Sequence, residues 1–176
     1  TRRSSDLPAL SELGFTATDL AAAGLRPGMS GAQSTWSAFR KKLDRYAAGR
    51  DYPATAGTSG LSPHLRFGTL SIRELVAHAA QQTGTGPETW LKELIWREFY
   101  FQILDHFPHV ANGPFKHQFA TIPWNDWPEG LLAWKEGRTG YPLIDAAMRH
   151  FNRTGQMHNR LRMITASFLC KDLGID

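Results

Sequence analysis

Cysteine is almost absent: Cys170 is the one thiol in 176 residues. No internal disulfide framework is open to it, which points to a cytoplasmic protein of bacterial intracellular type. Within the apolar run "ITASFLC", Cys170 is expected as a small core residue. Long apolar runs are missing too. None nears the ~20 residues of a membrane span, so no membrane partner is expected. The opening "TRRSSDLPAL" has two arginines with no apolar stretch behind them, and no secretory signal is visible. The chain contains no G-x-G-x-x-G, no P-loop, no His-Glu-x-x-His and no zinc spacing. Its seven histidines are scattered, and none is assigned to a metal. Sustained period-two alternation and internal repeats are also lacking, which leaves an all-α fold.

A hydrophobic content of 41% is enough for one domain with a sizeable core. Twenty basic against sixteen acidic side chains give a formal charge of +4, a mild bias towards anionic partners. Six tryptophans and ten phenylalanines stand out, because such rings hold planar cofactors and bases. Residues 1–30, rich in Ser, Pro, Gly and Ala, read as a linker or lead-in. Helical spacing of Trp36, Phe39, Leu43, Tyr46 and Ala47 predicts one amphipathic helix over 32–48. "SIREL" is a capping box, with Ser71 as N-cap and Glu74 three residues on, starting a helix to about Gln82. A helix over 88–107 is halted by Pro108, and an irregular aromatic loop fills 108–128. Pro142 suits the first position of a helix that Gly155 follows. The last helix runs from about His158 to Leu173 and ends at Gly174.

Three stretches carry possible chemistry. "GTSGLS" gathers Thr58, Ser59, Gly60, Leu61 and Ser62 before Pro63; it suits a pyrophosphate at a helix start, or is an ordinary Ser/Thr turn. In "WLKELIWREFYFQ", apolar nearly all round and so expected to be buried, Trp90, Glu93, Trp96, Arg97 and Tyr100 share an arc of about 120°. Glu93 and Arg97 either form an internal ion pair or, with the tryptophans, wall a ligand site; buried charge is costly, which favours the wall. In "MHNRLRM", Asn159, Arg162 and Met163 share a face with Ala166, while Arg160 points elsewhere, towards a phosphate. Asn159 offers donors and an acceptor to a base or ring edge, and Met163 a soft contact to aromatics. The plainer alternative is a helix end whose first turn is wet.

Together "RYAAGRDYPATAGTSGLSPHLRFGTLS", "WLKELIWREFY", "WKEGRTGYPLIDAAMRHFNRTGQMHNRLRM" and "ITASFLCKDLGID" resemble the helical flavin-binding domain of the photolyase/cryptochrome family. The segments keep the family's order and near its spacing over residues 36–176. Asn159 with Met163 is most similar to class I cyclobutane pyrimidine dimer photolyases; cryptochromes of animals usually place His there, those of plants Asp. The resemblance implies light-driven repair of UV-damaged DNA containing pyrimidine dimers, by electron transfer from excited reduced FAD. Its alternative is a cryptochrome-like flavin photoreceptor without repair activity. It implies that residues 31–176 are the N-terminal portion of the FAD domain, with the antenna domain and the rest of the FAD domain outside the chain. Tyr46 and Thr58, Ser59, Gly60, Leu61 and Ser62 would hold the FAD phosphates and ribose, and Trp90, Arg97 and Arg162 would line its pocket. Glu93, Trp96, Asn159 and Met163 would surround the flipped dimer, with Glu93 protonated in a buried apolar setting and donating to a thymine carbonyl. Arg50 and Arg160 would meet DNA backbone, Arg97 and Tyr100 would lie at the same DNA face, and Trp124 matches the exposed end of a photoreducing tryptophan chain. Two departures are expected to matter: the antenna domain is absent, and the chain stops at Asp176 within the flavin domain, which leaves Arg162 without its usual acidic partner; Gln156, where many relatives have Trp, is a milder change.

Overall fold

In the computed structural model, residues 8–9, 11–16, 20–21 and 23–176 are described, and every regular element among them is helical. Of the lead-in expected over 1–30, residues 1–7, 10, 17–19 and 22 lie outside the described residues. The elements are α1 (Gly28–Arg40), α2 (Tyr46–Gly49), α3 (Ser62–Arg66), α4 (Ile72–Ala80), α5 (Thr85–His106), α6 (Pro128–Glu136), α7 (Pro142–Thr154) and α8 (Asn159–Ser167). Short 3-10 turns lie at Leu43–Arg45, Pro108–Ala111 and His117–Phe119, and α8 runs on into a π-helical turn at Phe168–Asp172. Among the described residues no helix is long and apolar enough to cross a membrane.

Two apolar cores organise these helices. The first joins α1, α2, α4 and the front of α5 around Trp36, Phe39, Leu43, Tyr46, Leu75 and Trp90. Trp36 stacks on Trp90 with ring centroids 5.3 Å apart and planes 19° off parallel. Phe39 leans on Trp90 at 5.1 Å and meets Tyr46 edge to face at 5.7 Å. Such pairs add roughly 0.5–1.5 kcal/mol each to what their buried area contributes. The second core is smaller: Ile144 and Met148 of α7 pack on Phe168, with Trp134 and Met157 at its margin. The Trp134 indole N–H donates to the Thr165 carbonyl at 3.0 Å and so ties α6 to α8.

Several expectations need correction. The single helix over 32–48 is broken: α1 stops at Arg40, and the turn at Leu43–Arg45 redirects the chain into α2. That turn presses the Leu43 and Asp44 carbonyls against Gly86, where a Cβ would lie 2.3 Å from the Leu43 oxygen. Only glycine allows that approach, and it fixes how the start of α5 docks. Ser71 takes the extended N-cap conformation, but its side chain makes no capping bond. Helix α5 is not buried all round: Gly86, Pro87, Trp90 and Leu94 are buried, whereas Trp96, Phe99, Tyr100 and Phe101 are exposed. The buried residues lie in its first three turns, where α2 and α4 pack against it. Cys170 is exposed: two residues beyond buried Phe168, the π-helical turn presents it on the opposite side.

Asp145 anchors the start of α7 in a way the sequence did not announce. Its carboxylate accepts from the Thr139 N–H (2.7 Å), the Thr139 hydroxyl (2.6 Å) and the Gly140 N–H (3.0 Å). Burial opposes its charge, but these bonds and nearby Arg149 hold its carboxyl below the ordinary carboxylate value. A depressed carboxyl contributes its stability in full above its unfolded value of about 4, and loses it as pH falls through the folded value. Asp145→Asn is expected to destabilise the chain by about 2 kcal/mol at neutral pH. Urea unfolding between neutral and acid pH should show that deficit shrinking below about pH 4; a constant deficit would contradict the assignment.

Candidate functional site

The candidate residues fall on three elements whose side chains meet: α5, the segment from α2 to α3, and the first turn of α8. The joint is ionic. Arg50 donates through Nη1 to Glu93 Oε1 on α5, and its Nε lies 3.6 Å from Asp51 Oδ1. The same Asp51 oxygen accepts from Arg160 Nε of α8 at 3.1 Å, and Arg160 Nη2 lies 2.9 Å from it as an ion pair. Asp51, which no sequence signal singled out, therefore binds two arginines assigned to one surface. Its partner Arg160 is 109 residues away, beyond any local pattern.

Glu93 does not sit in the apolar setting expected for it. Its side chain is 32% exposed and its first partner is a guanidinium. Nor does it pair with Arg97. That residue donates to the Leu65 carbonyl of α3 at 3.4 Å and lies over the Phe101 ring at 4.6 Å. Burial works against the charge on Arg50, yet the Glu93 hydrogen bond, with Tyr46 and the acids, raises its pKa above the ordinary value. Arg50 also lies over the Tyr46 ring, 5.6 Å from its centroid.

Within the α5 arc, surroundings change with each turn. Trp90, 3% exposed, belongs to the aromatic core and offers no surface to a ligand. Trp96 (52% exposed) and Tyr100 form an open aromatic ledge, with centroids 6.0 Å apart. On α8, Asn159, Arg162 and Met163 are all exposed, as their shared face requires, and the Asn159 amide lies 3.9 Å from Met163 sulfur. His158 is not simply wet: its Nδ1 accepts from the Arg160 N–H as the helix cap, and its Nε2 is buried with no partner among the described residues.

The Thr58–Ser62 loop is closed onto α2 by Gly57, where a Cβ would lie 2.3 Å from the Gly49 carbonyl oxygen. Ser59 Oγ accepts from the Leu61 N–H at 3.3 Å. Thr58 and Ser62 are exposed, and their hydroxyls have no partner among the described residues. Leu61 is fully buried, so only its backbone is offered to a ligand. Tested against FAD, the cofactor set divides. Thr58, Gly60, Ser62 and Arg162 are exposed and offer donors of the kind a dinucleotide phosphate takes, whereas Ser59 is engaged by the Leu61 N–H and Arg97 by the Leu65 carbonyl. Tyr46 and Leu61, expected at the FAD phosphates and ribose, and Trp90, expected to line the pocket, all belong to the buried core. Trp124 stands apart from this group. It is held beside the end of the π-helical turn by Asn125, which donates to the Gly174 and Leu173 carbonyls at 2.6 and 2.9 Å. A cleft of about 540 Å3 lies between α7 and α8 and includes Met163.

Comparison with known proteins identifies the fold. A family model described as the FAD binding domain of DNA photolyase matches residues 90–176. The deoxyribodipyrimidine photo-lyase of Synechococcus is 42% identical over 98% of this chain, which spans 37% of that protein's length. Among solved structures, a class III photolyase from Agrobacterium tumefaciens superposes with a TM-score of 0.88 at 37% identity, covering 96% of this chain and 37% of its own. The Synechocystis cryptochrome gives 0.78 at 30% identity, covering 86% and 33%. The fold is thus that of a helical flavin-binding domain, represented here in part. The chain belongs to the photolyase/cryptochrome family.

Tyr46 provides a direct check on the geometry. Burial, with Glu93 and Asp51 adding to it and Arg50 opposing, pushes its phenol up to about 12. A raised phenol contributes stability in full below the unfolded value of about 10 and loses it as pH climbs towards the folded value. Ultraviolet titration of the native chain should therefore show one tyrosine ionising last, and Tyr46→Phe should remove that step. Loss of a step near pH 10 instead would place Tyr46 outside the core.

Proposed function

We propose that the chain is the part of a deoxyribodipyrimidine photo-lyase that holds an extruded pyrimidine dimer against the flavin, acting on UV-damaged DNA in the cytoplasm. One observation carries the reading: the Glu93–Arg50–Asp51–Arg160 chain of ion pairs draws the α5 wall and the Asn159 end of α8 to one place. A dimer inside the base stack is out of reach, so it must be flipped out, which costs less at a damaged, poorly paired step. Trp96 and Tyr100 then give the extruded bases an aromatic surface, Asn159 supplies donors and an acceptor to their edges, and Met163 fills against the ring. Glu93 accepts from a thymine N–H through the carboxylate oxygen that its bond to Arg50 leaves free. Arg50 and Arg160 meet phosphate oxygens, with Arg97 beside the flavin. Arg162 and the Thr58–Ser62 loop take the cofactor's phosphates and ribose. What bound FAD supplies is one electron, delivered from its reduced, light-excited form and returned after ring opening. Trp124, exposed at the far side, is the outer station for flavin photoreduction.

The Synechocystis likeness favours a second reading, a flavin photoreceptor of the cryptochrome kind. Illumination of the FAD-loaded protein with an oligonucleotide carrying one thymine dimer separates the two. Repair predicts loss of the dimer, and Glu93→Ala should slow it by about tenfold or more, as removal of a positioned hydrogen-bonding group does. Flavin photoreduction with the dimer left intact would make the photoreceptor the correct reading.

A further inference from the structure

Arg50, Arg160, Glu93 and Asp51 are two cations and two anions. The surface assigned to DNA phosphates is thus electrically neutral before DNA arrives. Its two halves differ in how firmly they are closed. Arg50 and Glu93 are 21% and 32% exposed, and Arg50 is also held over Tyr46. Arg160 and Asp51 are 49% and 45% exposed, open to solvent. Arg160 is gripped on its Nε/Nη2 edge, Nε donating to Asp51 Oδ1 at 3.1 Å and Nη2 lying 2.9 Å from the same oxygen. That edge is one by which a guanidinium takes a phosphate with two parallel hydrogen bonds.

We propose that Asp51 is a built-in stand-in for a DNA phosphate: it occupies the binding edge of Arg160 in the free protein and is displaced from it when DNA binds. The inference rests on the DNA-binding reading above. An exposed ion pair of this kind is weak, so exchange for phosphate is possible. It still subtracts from affinity, and most for DNA that offers phosphates alone. It also blunts the salt response. When Arg160 leaves, the freed Asp51 takes up a cation from solution, recapturing one of the counterions that DNA releases.

The experiment is fluorescence anisotropy of a labelled, undamaged short duplex titrated with the full chain between about 50 and 200 mM salt. Wild type is compared with Asp51→Asn, Asp51→Ser, Arg160→Ala and the Asp51→Asn/Arg160→Ala double variant, with helix content checked by circular dichroism. Both Asp51 variants are expected to bind about three- to fivefold tighter at low salt. Their log–log salt slope should be steeper by about one counterion. Arg160→Ala should bind more weakly than wild type, and adding Asp51→Asn to it should restore nothing. If Arg160→Ala is weak while both Asp51 variants bind no tighter than wild type, the proposal is wrong and the DNA reading stands. If Arg160→Ala binds like wild type, the DNA reading of α8 fails and the proposal fails with it.

Discussion

The stack of Trp36 on Trp90 sets the rotation of α5, and the candidate site follows from that rotation. With Trp90 pointing into the core, helix geometry places Arg97 only about 20° from the same direction two turns on, and Glu93 about 60° away. Both are half-buried as a result, Arg97 against the Leu65 carbonyl and Glu93 against Arg50. Trp96 lies about 120° from Trp90 and is therefore open. Gly86 secures the other end, because its missing side chain lets the carbonyls of Leu43 and Asp44 close on the start of the helix. One aromatic contact and one absent Cβ thus decide which side chains of α5 can face a ligand.

Charge then joins what packing has oriented. The second core, around Ile144, Met148 and Phe168, positions α8, and the Asp51–Arg160 pair brings its first turn to the segment after α2. The pairing uses the acids for two purposes. Glu93 meets Arg50 at the margin of the core, where a carboxylate left without a partner would be costly. Asp51 satisfies Arg160 in solvent, where a pair is easily exchanged. Firm and labile ion pairs stand side by side, which suits a surface that must keep its shape while accepting a polyanion.

Much of this was legible in the sequence where a residue's own chemistry sets the local outcome. Pro142 and Gly155 bound α7, with Gly155 left-handed at its end, and Pro108 follows the last residues of α5. The shared exposed face of Asn159, Arg162 and Met163 needed only helical periodicity. What the sequence hid depends on partners remote in the chain. Periodicity continued through residues 41–45 although the backbone turns there to meet Gly86. Composition suggested a buried α5, because apolar content does not reveal how many helices are present to cover it. Glu93 and Arg97, ideally spaced for each other, are instead taken by Arg50 and by α3. Asp51 had no local signal at all.

The central claim is that α5 and the α2–α3 segment are held together by Arg50 and Glu93, with the first turn of α8 joined to them through Asp51. A double-mutant cycle on urea unfolding of Arg50→Ala and Glu93→Ala measures the first link without reference to any ligand. Their largely buried pairing predicts a coupling of about 1 kcal/mol, with the double variant less destabilised than the sum of the singles. Strict additivity would mean that the two side chains do not meet, and the site as described would not exist.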